Sequence, residues 1–174
     1  MYKRQYSLYD NGKILDSQYW NFTEEFPHAD TKILSSVTEE SLSCTDSIKI
    51  KDLIQNNKFL DMPIHYSKGL GEDRIVCGYW AYKNIDGPAI CIDSGTFTTI
   101  DFITSKGFQG GYILPGLELI EKSFLAGKFL TQEKITTHHS DTIPNSTKEA
   151  ITEGIYYSFT SPILEILNNN NQYK

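Results

Sequence analysis

The chain has 174 residues, enough for one large domain or two small ones. A hydrophobic content of 39% with 13% aromatic residues supports a packed core and excludes a disordered chain. The formal net charge is −6 without a dense run of Lys and Arg, which argues against a nucleic-acid partner and against an anchor on anionic membranes.

Membrane and export signals are not predicted either. No apolar segment reaches the roughly 18 residues that a spanning helix needs, and the basic N-terminal residues are not followed by the apolar stretch of a signal peptide. Cys44, Cys77 and Cys91 are odd in number and lack metal-ligand spacing. We therefore expect free thiols and a cytoplasmic location, because reducing compartments keep cysteines unpaired.

The first part of the chain predicts mainly strands. They are expected at residues 3–9, 13–20, 32–37 and 59–66, the first two joined by the hairpin signal Asp10-Asn11-Gly12. Short helices are predicted after Asn21 and at the capping box 36–39. Residues 46–57 fit a strand or a helix equally well.

A glycine-rich corner at residues 69–74 is predicted to open a helix over 73–83, with Val76 and Trp80 among its buried residues. Two interpretations stand side by side. The acidic first turn can simply stabilise the helix dipole. Alternatively, Asp73 is a base and Arg74 binds a carboxylate, since a guanidinium matches a carboxylate with two hydrogen bonds.

Residues 89–116 predict three strands, at 89–92, 97–104 and 110–114. Asp93 and Asp101 lie on neighbouring strands, and a Gly95-Thr96 pair follows the first. Carboxylates that hold a cation, beside a glycine that lets the backbone approach an anion, indicate a phosphate-handling site. A plain antiparallel meander with aspartates in its turns is the open alternative.

The C-terminal part predicts helices. One is expected over 116–127, and a loop follows that contains His138 and His139. Adjacent histidines cannot share one face of an element, so no metal site is predicted there. A long helix begins after the cap at residues 145–147, and Pro162 predicts a kink or a division into two helices.

Four ordered blocks carry a family resemblance. DSGTFTTIDFI and GFQGGYILPGLELIEKSF, with GLGEDR before them and NSTKEAI after them, are similar to the second half of type III pantothenate kinases. The resemblance implies an α/β fold of the sugar-kinase and actin superfamily, with two ribonuclease-H-like halves. It also implies a homodimer that uses ATP, Mg2+ and a monovalent cation, K+ or NH4+, to phosphorylate pantothenate in the first step of coenzyme A biosynthesis.

The resemblance also implies roles for individual residues. Asp73 would be the general base, and Arg74 would bind the carboxylate of pantothenate. Asp93 would bind the monovalent cation and Thr96 would contact ATP. The remaining residues implied to bind pantothenate are Tyr66, Gly71, Glu72 and, across a dimer interface, Thr147.

Two segments of the family pattern do not occur in these residues: an Asp-Ile-Gly-Asn-Thr phosphate loop and a final strand. We therefore predict an incomplete N-terminal half over 1–86 and a C-terminal half over 87–174 without its last strand. Two further hypotheses remain beside the kinase. One is a pantothenate-binding remnant without catalysis, and the other is a nuclease that uses Asp73, Asp93 and Asp101 with two metals.

Overall fold

A computed structural model describes residues 5–10, 13–19, 29–35, 47–126 and 142–173. The chain forms two compact units, Met1–Leu53 and Ile54–Lys174. Both helices and sheets are present, so the fold is mixed α/β, as predicted. Among the described residues, no helix combines the length and apolarity needed to cross a membrane.

The first unit contains two strand pairs. β1 (Gln5–Asp10) and β2 (Lys13–Tyr19) are antiparallel, with Asp10 opposite Lys13, as the hairpin signal predicts. β3 (Lys32–Leu34) runs parallel to β4 (Ser47–Lys49), and a short 3₁₀ helix (Ile50–Leu53) follows. The helices predicted after Asn21 and at 36–39 lie outside the described residues.

The second unit begins with three very short strands. β5 (Ile54–Gln55), β6 (Lys58–Phe59) and β7 (Met62–Pro63) form a small antiparallel sheet. The prediction of one strand over 59–66 is wrong because Leu60 has a φ of 54° and turns the chain between β6 and β7. A left-handed residue cannot continue an extended strand.

The main sheet has three antiparallel strands in the order β10-β9-β8. They are β8 (Ala89–Ser94), β9 (Phe97–Thr104) and β10 (Gly107–Pro115), and the sequence predicted all three. The helix α1 (Glu72–Asn84) packs on one face through Ile75, Gly78 and Ala81. The prediction that Val76 and Trp80 are buried is wrong: they are 41% and 62% exposed, because the buried face follows an i, i+3 spacing that omits both.

At Gly78 the helix α1 lies close to the sheet. A Cβ atom there would lie 2.9 Å from the ring of Phe108, which is fully buried on β10. The missing side chain therefore sets how near α1 lies to the strands that carry the candidate site.

Two further helices complete the second unit. α2 (Leu117–Leu125) packs against α3 (Thr147–Asn169), and the Ser146 side chain accepts a hydrogen bond from the backbone N–H of Glu149, which confirms the predicted cap. Of the two outcomes predicted at Pro162, the division into two helices is wrong, since α3 continues through this residue, and the kink stays a prediction. A proline removes one backbone donor, and the bonds on either side of it hold the helix together.

The division between the units falls between residues 53 and 54. Helix α1, which the sequence assigned to the N-terminal half, packs on the sheet of the second unit. The proposed halves at 1–86 and 87–174 stay a prediction.

Candidate active site

The first turn of α1 presents the acidic corner. Gly71 is the extended residue before the helix, and Glu72 and Asp73 follow it. The backbone N–H of Arg74 donates to Asp73 Oδ1 over 2.8 Å within the first turn, and Asp73 is exposed to solvent. A Cβ atom at Gly71 would collide with Asp73 Oδ1. Glycine at this position therefore leaves room for the Asp73 carboxylate.

Arg74 points the other way, into the protein, where it meets Asp101 of β9. Its Nε–H donates to both carboxylate oxygens over 3.1 Å, and its Nη2–H donates to Oδ1. The residues are only 6% and 1% exposed, respectively. A charge taken out of water needs such a partner, because an unpaired buried ion is strongly unfavourable.

Two aromatic rings enclose the guanidinium. Its carbon lies 5.3 Å from the centre of the Tyr66 ring and 5.9 Å from that of Phe108. Both distances suit cation–π contacts. Tyr66 reaches this place because the backbone N–H of His65 donates to the carbonyl of Phe108 over 2.8 Å, which fixes the segment after β7 along β10. The structure thus brings the predicted substrate-side tyrosine next to Arg74.

The charges of this pair perturb each other. Burial lowers the pKa of Arg74, but the hydrogen bonds with Asp101 and Tyr66 outweigh burial and raise that pKa. Burial raises the pKa of Asp101, Arg74 opposes the rise, and the charges of Asp73 and Asp93 add to it. Arg74 therefore remains a cation, and three carboxylates lie near enough to interact at one end of α1.

The strand register explains why Asp93 belongs to this group. Asp93 lies opposite Thr99, and Cys91 lies opposite Asp101 on the next position of the same face. Residues two apart on a strand point to the same side, so Asp93 and Asp101 share the α1 side of the sheet. Asp93 is at the exposed end of β8.

The two predicted threonines are placed differently. The carbonyl of Thr96 accepts the backbone N–H of Gly116 over 3.0 Å, which holds the β8–β9 turn against the start of α2. Thr147 is the first residue of α3 and is exposed. Within the part of the chain that the structure describes, no hydrogen bond joins either threonine to Asp73, Arg74 or Asp101.

Sequence reasoning missed the partner of Arg74. The sequence indicated Asp101 as a cation-holding carboxylate of a phosphate site or as a nuclease metal ligand, whereas its carboxylate is buried against the guanidinium. Gly111, opposite Asp101 on β10, was also missed: a Cβ there would collide with the carbonyl of Ile100 and with Asp101 Oδ1. A strand buried on both sides that contains an aspartate is the signal that could have indicated a cationic partner.

The described residues form no preformed metal cage at this cluster. In residues 47–126 and 142–173, as in the shorter described segments, no group of three or more His, Cys, Asp or Glu side chains could hold a metal ion. A shallow cavity of about 350 Å³ lies at the other end of α1, lined in part by Asp61, Lys83 and Asp86. It contains none of the predicted site residues.

Comparison with known proteins decides the family. The model of the family described as type III pantothenate kinase matches residues 11–169. The chain belongs to this family. Membership agrees with the resemblance seen in the four sequence blocks.

Individual type III pantothenate kinases support the assignment. The protein of Nocardia farcinica is 36% identical over 93 residues, which cover 53% of this chain and 35% of that protein. The Streptomyces coelicolor protein is 34% identical over 105 residues, 59% of this chain and 39% of that protein. The chain thus spans well under half the length of these curated relatives.

A solved structure shares the fold. A conserved Campylobacter jejuni protein, described as a Baf family transcriptional activator, superimposes with a TM-score of 0.52 over 88% of this chain and 70% of that chain. At 18% identity the likeness shows a common fold and no more. The type III pantothenate kinase assignment rests on the sequence matches.

Proposed function

We propose that the chain provides the pantothenate side of an ATP-dependent pantothenate kinase, which transfers the γ-phosphoryl group of ATP to the hydroxyl of pantothenate. Family membership supports the reaction class. The observation that carries the proposal is the position of Arg74, a buried cation beside an exposed carboxylate, Asp73, at one helix end. An acid that carries a hydroxyl needs both groups: a cation for its carboxylate and a base for its hydroxyl proton.

In this proposal Arg74 binds the substrate carboxylate and Asp73 accepts the hydroxyl proton during transfer. The other residues of the corner, Gly71 and Glu72, contribute backbone and carboxylate contacts, and Tyr66 covers the substrate next to the guanidinium. Phosphoryl transfer depends mostly on positioning and charge neutralisation, so a base and an oriented substrate account for the acceptor side. Thr147 would reach pantothenate from a second copy of the chain.

The nucleotide side is proposed to lie at the β8–β9 turn. Asp93 offers an exposed carboxylate beside a turn held by backbone hydrogen bonds at Gly95 and Thr96. In this proposal Asp93 would bind the monovalent cation. Mg2+ usually takes one or two carboxylates with phosphate oxygens and water, so it would need no closed cage here either. Bound Mg2+, together with K+ or NH4+, would neutralise phosphate charge there. Thr96 would contact ATP.

The larger assembly is also a proposal. Two ribonuclease-H-like halves, divided near residues 86 and 87, would form the actin-like fold of the family, and two copies would form a cytoplasmic homodimer. The nuclease hypothesis is disfavoured, because the Asp101 carboxylate accepts from Arg74 and is sealed from solvent, which leaves no oxygen exposed for a metal.

The test is titration calorimetry of the chain with pantothenate, followed by measurement of ADP formation with ATP and Mg2+. Asp73→Asn should retain pantothenate binding and lower kcat by roughly 100- to 10,000-fold, the usual contribution of a general base. Asp86→Asn, at an exposed acid on the far end of α1, is the matched control and should leave both unchanged. Binding without turnover in the unaltered chain would favour the hypothesis of a pantothenate-binding remnant without catalysis. A chain that does not bind pantothenate at all contradicts the proposal.

A further inference from the structure

Among the described residues, Asp101 binds one edge of the Arg74 guanidinium, and Tyr66 accepts a further hydrogen bond from it. Nε–H and one N–H of Nη2 are occupied by Asp101. An arginine has five N–H donors in a rigid plane. Its second edge, formed by Nη1 and the remaining N–H of Nη2, is therefore oriented by the contact on the first edge.

We propose that Asp101 is a positioning residue, which binds the inner edge of Arg74 so that the outer edge presents two parallel donors to a carboxylate ligand. The inference rests on the proposed function, in that the ligand is the carboxylate end of pantothenate. Asp101 lies outside the glycine-rich corner, and the orientation it gives Arg74 would make the site prefer an acid to an uncharged analogue. Two parallel N–H groups in a fixed plane match the two oxygens of a carboxylate.

Asp101 is itself held in place by the sheet. Asp101 is on the central strand, paired to Cys91 on one side and to Gly111 on the other. Because a Cβ atom at Gly111 would collide with Asp101 Oδ1, glycine there leaves the carboxylate room to meet the guanidinium. The rings of Tyr66 and Phe108 limit movement of the guanidinium plane. The orientation is thus set before any ligand arrives.

Removal of the Asp101 carboxylate has two opposite effects on the binding of an anion, one through charge and one through the orientation of Arg74. Asp101 neutralises Arg74, and Asp73 and Asp93 are near enough to interact with it, so removing one negative charge favours an incoming anion. Loss of Asp101 also releases the guanidinium from its plane, and a misplacement of about 1 Å can cost about 100-fold. If Asp101 acts by positioning, the second effect dominates.

The experiment measures affinity by calorimetry for pantothenate and for its carboxamide analogue, which has the same shape without the charge. The unaltered chain should prefer pantothenate. Asp101→Asn should weaken pantothenate binding by roughly 10- to 100-fold, by the misplacement argument, and leave the carboxamide affinity within about twofold. Asp86→Asn is again the control.

Each outcome has a distinct meaning. Equal losses for both ligands would indicate a merely structural role and overturn the inference, as would tighter pantothenate binding in Asp101→Asn. If the unaltered chain binds both ligands equally, Arg74 does not select the carboxylate, and the inference again fails while pantothenate binding stands. If the unaltered chain binds neither ligand, the proposed function and the inference fail together.

A measurement on the unaltered chain covers the case in which Asp101→Asn does not fold. In ¹⁵N spectra, the Nε–H signal of Arg74, assigned by its loss in Arg74→Lys, should exchange slowly with water before ligand is added. Added pantothenate should shift the Nη signals of Arg74 and leave its Nε–H in place. A rapidly exchanging Nε–H in the free protein would overturn the inference.

Discussion

Removal of one member of the Arg74–Asp101 pair is expected to be the most damaging polar substitution in the second unit. Asp101→Ala leaves a guanidinium that is 6% exposed without its carboxylate. Breaking a buried ion pair from one side typically costs about 3–5 kcal/mol, because the remaining charge is uncompensated. Arg74→Met should cost a similar amount, since it leaves Asp101 buried alone.

The double variant tests the physical reason. When both charges are removed, nothing buried is left unpaired, so Arg74→Met with Asp101→Ala should cost much less than the sum of the single changes. Urea unfolding followed by circular dichroism measures these differences. With a denaturant slope of about 2 kcal/mol/M, a loss of about 4 kcal/mol moves the midpoint by about 2 M.

An exposed pair provides the control. Lys122 and Glu118 form an ion pair on α2 with side chains 64% and 67% exposed. Lys122→Ala should cost about 0.3–0.5 kcal/mol, as usual for surface pairs one helical turn apart. If Asp101→Ala costs no more than Lys122→Ala, or if the two single changes at the buried pair add, the reasoning from desolvation is refuted.

Three further predictions concern packing and ionisation. Gly78→Ala should be less stable than Gly154→Ala by about 1–3 kcal/mol in thermal unfolding. The methyl group added at residue 78 overpacks the contact with the sheet, whereas the one added at residue 154 makes ordinary contacts. Equal stabilities of the two variants would contradict this prediction. Burial raises the pKa of Cys91 to about 12, so at pH 8 it should react with iodoacetamide far more slowly than in urea, as peptide mass spectrometry can measure. Hydrogen bonds, first from Lys83, lower the pKa of Asp61. The ionised Asp61 carboxylate therefore stabilises the fold at neutral pH, and this effect is lost only as the pH falls through the lowered pKa. A carboxyl NMR titration should give a midpoint below 3.8, and the midpoint should rise in Lys83→Ala.

Much of the second unit could be predicted from local patterns. The three strands over 89–115, the helix after the glycine corner and the cap at Ser146 follow from periodicity and turn residues, which act over a few positions. The break inside 59–66 could not be predicted, since it depends on a left-handed Leu60 that residue preference does not favour. Val76 and Trp80 were misjudged because apolar character alone does not say which helix face meets the sheet.

The sequence by itself determined which groups are available: the acid and the arginine at a helix start, an aspartate at a strand end, and the family to which they belong. Only the tertiary structure decided how they are arranged. Arg74 and Asp101 are 27 residues apart in the sequence, and the packing of α1 on β9 brings them into contact. Strand register then places Gly111 beside that pair. The partner of a buried charge is fixed by such long-range packing, because desolvation acts on whatever lies nearest in space.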